Sequence, residues 1–155
     1  MGTEQMTAQD VFHQYKDDML KLIAYLPWLE EKSGKTKVMN NYTGDGLTEK
    51  TISFPVFDSN LLRFVKEAES TSFIDRNYVY VISRNRLRTP QDEKDFIRRQ
   101  SMLQIDSIAG ILSKYIIEGR SKARMWSIAM DEGIFLEVVS KFKDLYGQGL
   151  NWEVQ

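Results

Sequence analysis

Apolar residues recur every three or four positions along most of the chain, and the clearest repeat runs from Met102 to Tyr146. Positions spaced in this way share one face of an α-helix, so the repeat predicts amphipathic helices that pack against one another. Gly119 and Gly133 interrupt the repeat and predict three successive helices, with Gly119 as a left-handed C-cap. The last of the three is predicted to end before Gly147.

The first of these three helices is apolar around most of its circumference, because Ile105, Ile108 and Leu112 belong to a broad apolar face. Its narrow polar stripe consists of Asp106, Gly110, Ser113, Lys114 and Glu118. A helix with so little polar surface belongs in the middle of a bundle. We expect Ser121 to cap the helix that follows it.

Local capping signals predict further helices in the first part of the chain. Thr7 and Asp10 form a capping pair that begins a first helix. Pro27 disfavours helical geometry in the residue before it, so the first helix is expected to stop or kink there. Farther on, Asp58 or Ser59 is predicted to cap a short helix.

The segment 77–86 suits either a strand, because it is rich in tyrosine and valine, or a helix, because its apolar residues keep helical spacing. The helix is favoured because no partner strand follows, and Ser72 with Asp75 would cap its start. Thr89-Pro90 then predicts another helix, with an N-cap hydroxyl, a proline at the first position and acidic residues in the first turn.

These elements together predict a mainly α fold: a single-domain bundle of about six helices that spans residues 1–155. Residues 1–6 are expected to be a disordered N-terminus. A minor β-hairpin near residues 37–54 is predicted from Lys37–Tyr42 and Thr48–Phe54, which flank a polar, glycine-containing turn.

The amino-acid composition limits the kinds of functional site that the chain can form. The 155 residues are 42% apolar and 28% charged, values typical of a globular domain that buries a core without disulfides or metal. The net charge of −1 provides no overall basic field for nucleic acid or an anionic membrane. The chain has no cysteine and a single histidine, His13, which excludes disulfides, cysteine-based metal sites and cysteine nucleophiles. No cofactor and no metal site is expected.

The N-terminal residues lack the basic and apolar regions of a signal peptide. No apolar run approaches the roughly 18 residues that a membrane-spanning helix needs. We therefore expect a cytoplasmic protein that does not bind a membrane.

A pattern of small, basic and aromatic residues marks the C-terminal stretch. An apolar helix is followed by Gly119-Arg120, then by Trp126, and then by Gly133. Upstream, the segment 54–57 places an aromatic-flanked proline before a helix. This pattern resembles that of a family of small bacterial proteins classified only as a domain of unknown function, and the resemblance covers about the last two-thirds of the chain. It implies a bacterial cytosolic protein and brings no catalytic residues with it.

Basic residues gather in two parts of the chain. They are Arg84, Arg86 and Arg88 in the first part, and Arg120, Lys122 and Arg124 in the second. If the two groups converge in the fold, their guanidinium groups form a site for phosphate, a nucleotide or RNA. The acids that lie between them, Asp92, Glu93 and Asp95, favour instead solvated helix faces with ordinary surface ion pairs.

Residues 122–146 have the spacing of a helix-turn-helix, with Ala129 in the first helix and Gly133 at the turn. The outward residues of the second helix would be Glu137, Ser140, Lys141, Lys143 and Asp144. Two acids among five suit DNA poorly, because contacts with phosphates dominate affinity. An ordinary antiparallel helix pair is therefore favoured over a nucleic-acid-binding module.

Three aromatic residues, Tyr78, Tyr80 and Trp126, are candidates to line a pocket, although aromatic residues at helical spacing belong more often to a core. His13 is expected at the surface, since no nucleophile or phosphate-binding motif accompanies it. The favoured function is a non-enzymatic binding or interaction protein, with another protein or a second copy of the chain as partner. The alternatives are a nucleic-acid-binding module at 122–146, and an enzyme or small-molecule binder with an aromatic and arginine pocket.

Overall fold

The computed structural model describes residues 6–34, 39–42, 54–122 and 124–154. The helices in these ranges are α1 (Ala8–Ile23), α2 (Leu26–Lys32), α3 (Ser59–Glu69), α4 (Tyr78–Arg84), α5 (Pro90–Arg99), α6 (Ile105–Glu118), α7 (Arg124–Asp131) and α8 (Ile134–Val154). A 3-10 turn, Met102–Gln104, precedes α6. The prediction of a mainly helical fold is confirmed, but the described part of the chain has eight α-helices rather than about six.

The helix that the sequence did not predict is α2. α1 ends at Ile23, but Leu26, the residue before Pro27, is helical: it begins α2, and Pro27 occupies the second position of that helix. A proline in the first turn of a helix costs little, because that N–H has no acceptor within the helix. Pro27 therefore lies in the first turn of a second helix instead of ending the first one.

Two of the predicted N-caps are complete capping boxes, at Thr7 with Asp10 and at Thr89 with Asp92. The N-cap of α3 is Asp58, whose carboxylate accepts a hydrogen bond from the Asn60 N–H at 2.7 Å. Each of these caps involves residues two or three apart, which explains why local sequence predicts them.

The segment 77–86 is helical over Tyr78–Arg84, as favoured from its sequence. The predicted cap is wrong: the N-cap is Asn77, and Ser72 instead donates a hydrogen bond to Asp18 of α1. The carboxylate of Asp75 accepts a hydrogen bond from the Asn77 N–H at 2.8 Å, and α4 begins one residue later.

Two short strands, β1 (Met39–Tyr42) and β2 (Phe54–Phe57), pair antiparallel, with Met39 opposite Phe57. The first predicted arm, 37–42, contains β1, whereas β2 begins where the second predicted arm ends. Residues 48–53 of that arm lie outside the described residues. The N-terminal segment 1–6, predicted to be disordered, also lies outside them except for Met6.

The centre of the bundle is shared by α6 and α8. α8 contacts α1, α2, α5, α6 and α7, and α6 contacts α3, α4, α5 and α7. Contrary to prediction, α8 does not end before Gly147 but continues to Val154. The added turns pack closely on α1 at Gly149, where a Cβ atom would lie 2.0 Å from Cδ1 of Phe12.

The predicted polar stripe of α6 is also partly wrong, because Gly110 and Ser113 are buried. α4 lies on this side of α6, and a Cβ on Gly110 would be 2.8 Å from Cγ2 of Val81. The Ser113 hydroxyl donates to the Ala109 carbonyl oxygen at 2.7 Å, which satisfies it inside the bundle. α4 thus packs on the stripe at Gly110.

None of the helices in the described ranges is both long enough and apolar enough to cross a membrane.

Candidate binding groove

A groove of about 600 Å³ opens between α4 and the first turn of α6, and we call it the α4–α6 groove. Its lining residues are Asp75, Asn77, Tyr80, Val81, Ser83, Arg84, Asp106 and Ser107. A second depression of about 430 Å³ continues it toward α1 and shares Asp75, Asn77 and Asp106. Small-molecule sites occupy roughly 300–1,000 Å³, so each cavity has a suitable size for a ligand.

The segment that leads into α4 is held by a buried aromatic stack. Phe73 lies between Tyr15 and Phe142, with ring centroids 5.0 Å and 4.5 Å away. Two residues later, the Asp75 N–H donates a hydrogen bond to the Ser113 hydroxyl of α6 at 2.8 Å. These contacts fix the backbone that presents Asp75 at the groove.

α4 forms the opposite wall. Val81 fills the space above Gly110, so the short helix lies close against α6. Tyr80 and Arg84 are four residues apart on α4 and therefore share one face of it, which borders the groove. The absence of a side chain at Gly110 thus sets the positions of Tyr80 and Arg84.

The two carboxylates of the groove each use one oxygen within the protein. Oδ1 of Asp106 accepts a hydrogen bond from the Tyr15 hydroxyl at 3.2 Å, and Oδ1 of Asp75 accepts one from the Asn77 N–H. Burial and then the charge of Asp106 raise the pKa of Tyr15 to about 12, so this phenol remains a donor at neutral pH. Among the described residues, no hydrogen bond is donated to the second oxygen of either carboxylate.

Tyr80 and Arg84 have no structural role in the described part of the chain. The Tyr80 side chain is 71% exposed, and its neighbour Val79 is 60% exposed. Arg84 is exposed and makes neither a hydrogen bond nor an ion pair with a described residue. An aromatic ring and a guanidinium group are therefore both available to a ligand.

The other arginines of the first predicted group lie beyond the end of α4. Arg86 borders a shallow depression of about 170 Å³ together with Asp92 and Asp95. The Arg88 N–H donates to the Asp92 carboxylate at 3.1 Å. Acidic residues face both positions, so only Arg84 of this group contributes to the α4–α6 groove.

The second basic group lies at the far end of α6. Arg120 forms a bidentate ion pair with Glu69 of α3, in which the Arg120 Nε lies 2.8 Å from Oε2 of Glu69. Lys122 and Arg124 are exposed. Arg84 borders the first turn of α6 and Arg120 follows its last residue, so the 14 residues of α6 separate them by roughly 20 Å. The two groups do not form one anion site.

The pattern Gly119-Arg120…Trp126 is a packing unit. Gly119 has φ −64°, so the predicted left-handed cap is wrong. A Cβ on Gly119 would lie 2.0 Å from Nε1 of Trp126, and the Arg120 guanidinium lies 5.3 Å from the centroid of that ring. The glycine is needed because the indole packs directly on the backbone at the end of α6.

Of the three aromatic candidates, only Tyr80 lines the groove. Trp126 is 4% exposed and belongs to the core. Tyr78 is half-buried beside the end of α6, where burial and then a hydrogen bond with Glu118 raise its pKa. The predicted three-residue pocket is therefore not formed.

In the helix pair at 122–146, α7 and α8 contact each other and are joined at Gly133, which has φ +75°. Ser121 does not cap α7; its hydroxyl donates back to the Glu118 carbonyl oxygen at 3.3 Å. Glu137 pairs with Arg98 of α5 at 2.6 Å, and Lys141 donates to the Arg98 carbonyl oxygen at 3.0 Å. α5 thus covers part of the face that would have to enter a DNA groove.

A buried carboxylate joins α5 to α6, and the sequence placed it wrongly at the surface. Glu93 is 1% exposed; it accepts hydrogen bonds from the Tyr115 hydroxyl at 2.5 Å and from Lys114 Nζ at 2.9 Å. Burial and then this hydrogen bond raise the pKa of Tyr115. The cluster is satisfied and enclosed, so its role is structural.

The described ranges contain no group of three or more histidine, aspartate or glutamate side chains placed to hold a metal ion. His13 is exposed and packs beside Phe12, with ring centroids 5.8 Å apart.

Sequence reasoning missed most of the groove. The sequence predicts Asp75 as a cap and Asp106 as part of a narrow polar stripe, and it gives no signal for Asn77 or Ser107. These residues come from segments about 30 positions apart, which meet only because α4 packs on α6. Comparison of the chain with known protein families, with curated proteins and with solved structures found no match.

Proposed function

We propose that the protein is a non-enzymatic binding protein that holds a small polar ligand in the α4–α6 groove. The observation that carries this proposal is the placement of Tyr80 and Arg84 side by side on one face of α4, exposed and without structural partners among the described residues. The bacterial, cytosolic setting implied by the sequence resemblance is part of the proposal.

Aromatic and arginine side chains suit ligand recognition. A tyrosine offers a large, rigid contact surface with few rotatable bonds, and a guanidinium offers several donors in one plane. Such residues lie at the energetic centre of many binding surfaces. In the α4–α6 groove they stand beside carboxylates and hydroxyls that can fix the orientation of a ligand.

The groove has no nucleophile–histidine pair among its lining residues. Its serine hydroxyls, Ser83 and Ser107, have no histidine beside them. The pKa of about 12 makes Tyr15 a poor general base at neutral pH. Binding without chemistry therefore agrees best with the side chains present.

The nucleic-acid alternative has less support. The basic residues lie in two groups at opposite ends of α6, and Arg120 is already paired with Glu69. Duplex binding at neutral pH needs several cations that face the phosphates together.

A thermal-shift screen of amino acids, nucleotides and organic acids tests the proposal. A ligand at 100 times its Kd stabilises the fold by about 2.7 kcal/mol, which raises Tm by about 5–10 °C for a chain of this size. The shift should be lost in Tyr80→Ala and Arg84→Gln but kept in Arg124→Gln, which removes an exposed arginine at the other end of α6. A flat response to the whole panel, or a shift that survives Tyr80→Ala, would contradict the proposal.

A further inference from the structure

We infer that the ligand of the α4–α6 groove is a zwitterion that carries an ammonium group, a carboxylate and a flat apolar group. Its carboxylate binds Arg84, its ammonium binds Asp75 and Asp106, and its apolar part lies on Tyr80. This inference rests on the proposed function, because it names the ligand class for the same groove.

The anionic end of the ligand is assigned from Arg84. This guanidinium is exposed at the groove and has no ion-pair partner among the described residues. Elsewhere in the molecule, Arg98 and Arg120 each pair with a glutamate. A carboxylate fits the fork of a guanidinium with two parallel hydrogen bonds, so it is a suitable partner for Arg84.

The cationic end is assigned from the two carboxylates. Asp75 and Asp106 line the same groove, and each has one oxygen engaged, by Asn77 and Tyr15 respectively. The hydrogen bonds orient each carboxylate and leave its second oxygen as an acceptor. An ammonium group carries three donors, so it can be shared between both.

The combination of charges selects against simpler ligands. A purely anionic molecule held by Arg84 would lie close to Asp75 and Asp106, and a purely cationic one held by the carboxylates would lie close to Arg84. Like charges in one groove lower affinity, and this repulsion is a source of specificity. A zwitterion offers the opposite charge to Arg84 and to the two carboxylates in one molecule.

The apolar part of the ligand is assigned from Tyr80, which is exposed over most of its surface at the rim of the groove. Aromatic rings stack offset or edge to face on other flat groups. The buried Val81 beneath it adds apolar surface to the wall.

Nuclear magnetic resonance titrations with four probes test the inference. Phenylalanine and the dipeptide phenylalanyl-glycine are zwitterions with differently spaced charges, whereas phenethylamine and 3-phenylpropionate carry one charge each. The two zwitterions are compared by their Kd. We expect the one that binds more tightly to shift the backbone amide resonances of Asn77 and Ser107, with a Kd at least tenfold lower than that of either singly charged probe.

Charge variants then assign each end of the ligand. Arg84→Gln should reduce zwitterion affinity to that of phenethylamine, and Asp106→Asn, which keeps an acceptor for Tyr15 and leaves Asp75 charged, should reduce it part of the way toward that of 3-phenylpropionate. Arg124→Gln serves as the matched control and should leave every affinity unchanged. Dispersed spectra of the free variants verify that each is folded.

The outcomes separate the inference from the proposed function. If a singly charged probe binds the groove as tightly as both zwitterions, the ligand class is wrong and the groove remains a binding site. If none of the four probes shifts groove resonances at millimolar concentration, while the thermal-shift panel finds a nucleotide or an organic acid that needs Tyr80, only the zwitterion inference fails. If both experiments are negative, the proposed function fails as well.

Discussion

Arg86 follows the C-cap of α4 in a left-handed conformation, with φ 53°, and is the one non-glycine residue with positive φ in the described ranges. The Leu87 N–H bonds the Ile82 carbonyl oxygen at 3.0 Å, which is the wrapped hydrogen bond of a Schellman C-cap. Glycine is the usual residue at this position, because a Cβ atom is strained there.

Arg86→Gly should therefore stabilise the fold by about 0.5–1 kcal/mol, after the greater flexibility of glycine in the unfolded chain is subtracted. Urea unfolding measures this as a higher midpoint with an unchanged slope. Arg86→Ala is the matched control: it removes the same side chain but keeps the strain, so little change is expected. Equal stabilisation by both variants would show that the side chain, not the backbone, is responsible.

Asp92 illustrates how a local cap depends on pH. Hydrogen bonds from the N–H groups of Arg88 and Thr89 lower the pKa of Asp92 below its usual value of 3.8. A carboxyl group with a lowered folded pKa contributes stability above the unfolded pKa and loses it as pH falls through the folded pKa.

Asp92→Asn keeps an oxygen acceptor but removes the charge. We expect it to be less stable than the original protein at pH 7, and the difference to shrink as pH falls below 3.8. Urea unfolding at a series of pH values measures the difference. A gap that stays constant down to pH 3 would rule out the charge as its origin.

At the scale of elements, α8 provides a matched pair of glycines. Gly147 is exposed, and a Cβ atom added there would have no atom within 4 Å. A Cβ atom added at Gly149 would lie 2.0 Å from Phe12. Alanine at an exposed helix position is favoured over glycine.

Gly147→Ala should stabilise the protein by about 0.5–1 kcal/mol. Gly149→Ala should instead destabilise it by about 1–3 kcal/mol, because α1 must move away from α8. Thermal unfolding of the two variants side by side gives the comparison. Stabilisation by both substitutions would mean that the contact between α1 and α8 is looser than described.

Helix caps and helix glycines differ in how well the sequence predicts them. Capping boxes at Thr7 and Thr89 join residues three apart, so their chemistry is readable along the chain. The reason for Gly149 is a ring more than 130 positions earlier, and the reason for Gly119 is an indole across a turn. Helical type and most starts were therefore predictable, whereas helix ends at glycine depended on contacts between helices.

At the scale of the whole molecule, the buried Glu93 links α5 to the central α6 through Tyr115 and Lys114. The sequence could not place it, because an acid in the first turn of a helix is usually exposed. The α4–α6 groove was not predicted for a related reason, because its residues lie together only when α4 packs over Gly110.

Tyr115→Phe should cost about 1–3 kcal/mol, because it leaves a buried oxygen of Glu93 without its donor. The double variant Glu93→Leu with Tyr115→Phe should recover part of this loss, since neither buried partner then remains unsatisfied, and Lys114 is exposed enough to reach water. Denaturant unfolding measures both. A double variant that is no more stable than Tyr115→Phe alone would contradict this account.

The indole of Trp126 also gives the molecule an optical reporter. It is buried against Gly119 with a guanidinium over its ring, while Trp28 and Trp152 are only half-buried. Replacing those two with phenylalanine would leave fluorescence from the junction of α6 and α7 alone. This junction and the α4–α6 groove lie at opposite ends of α6. A change in Trp126 emission when a ligand is added would therefore show that α6 transmits the effect of ligand binding along its length.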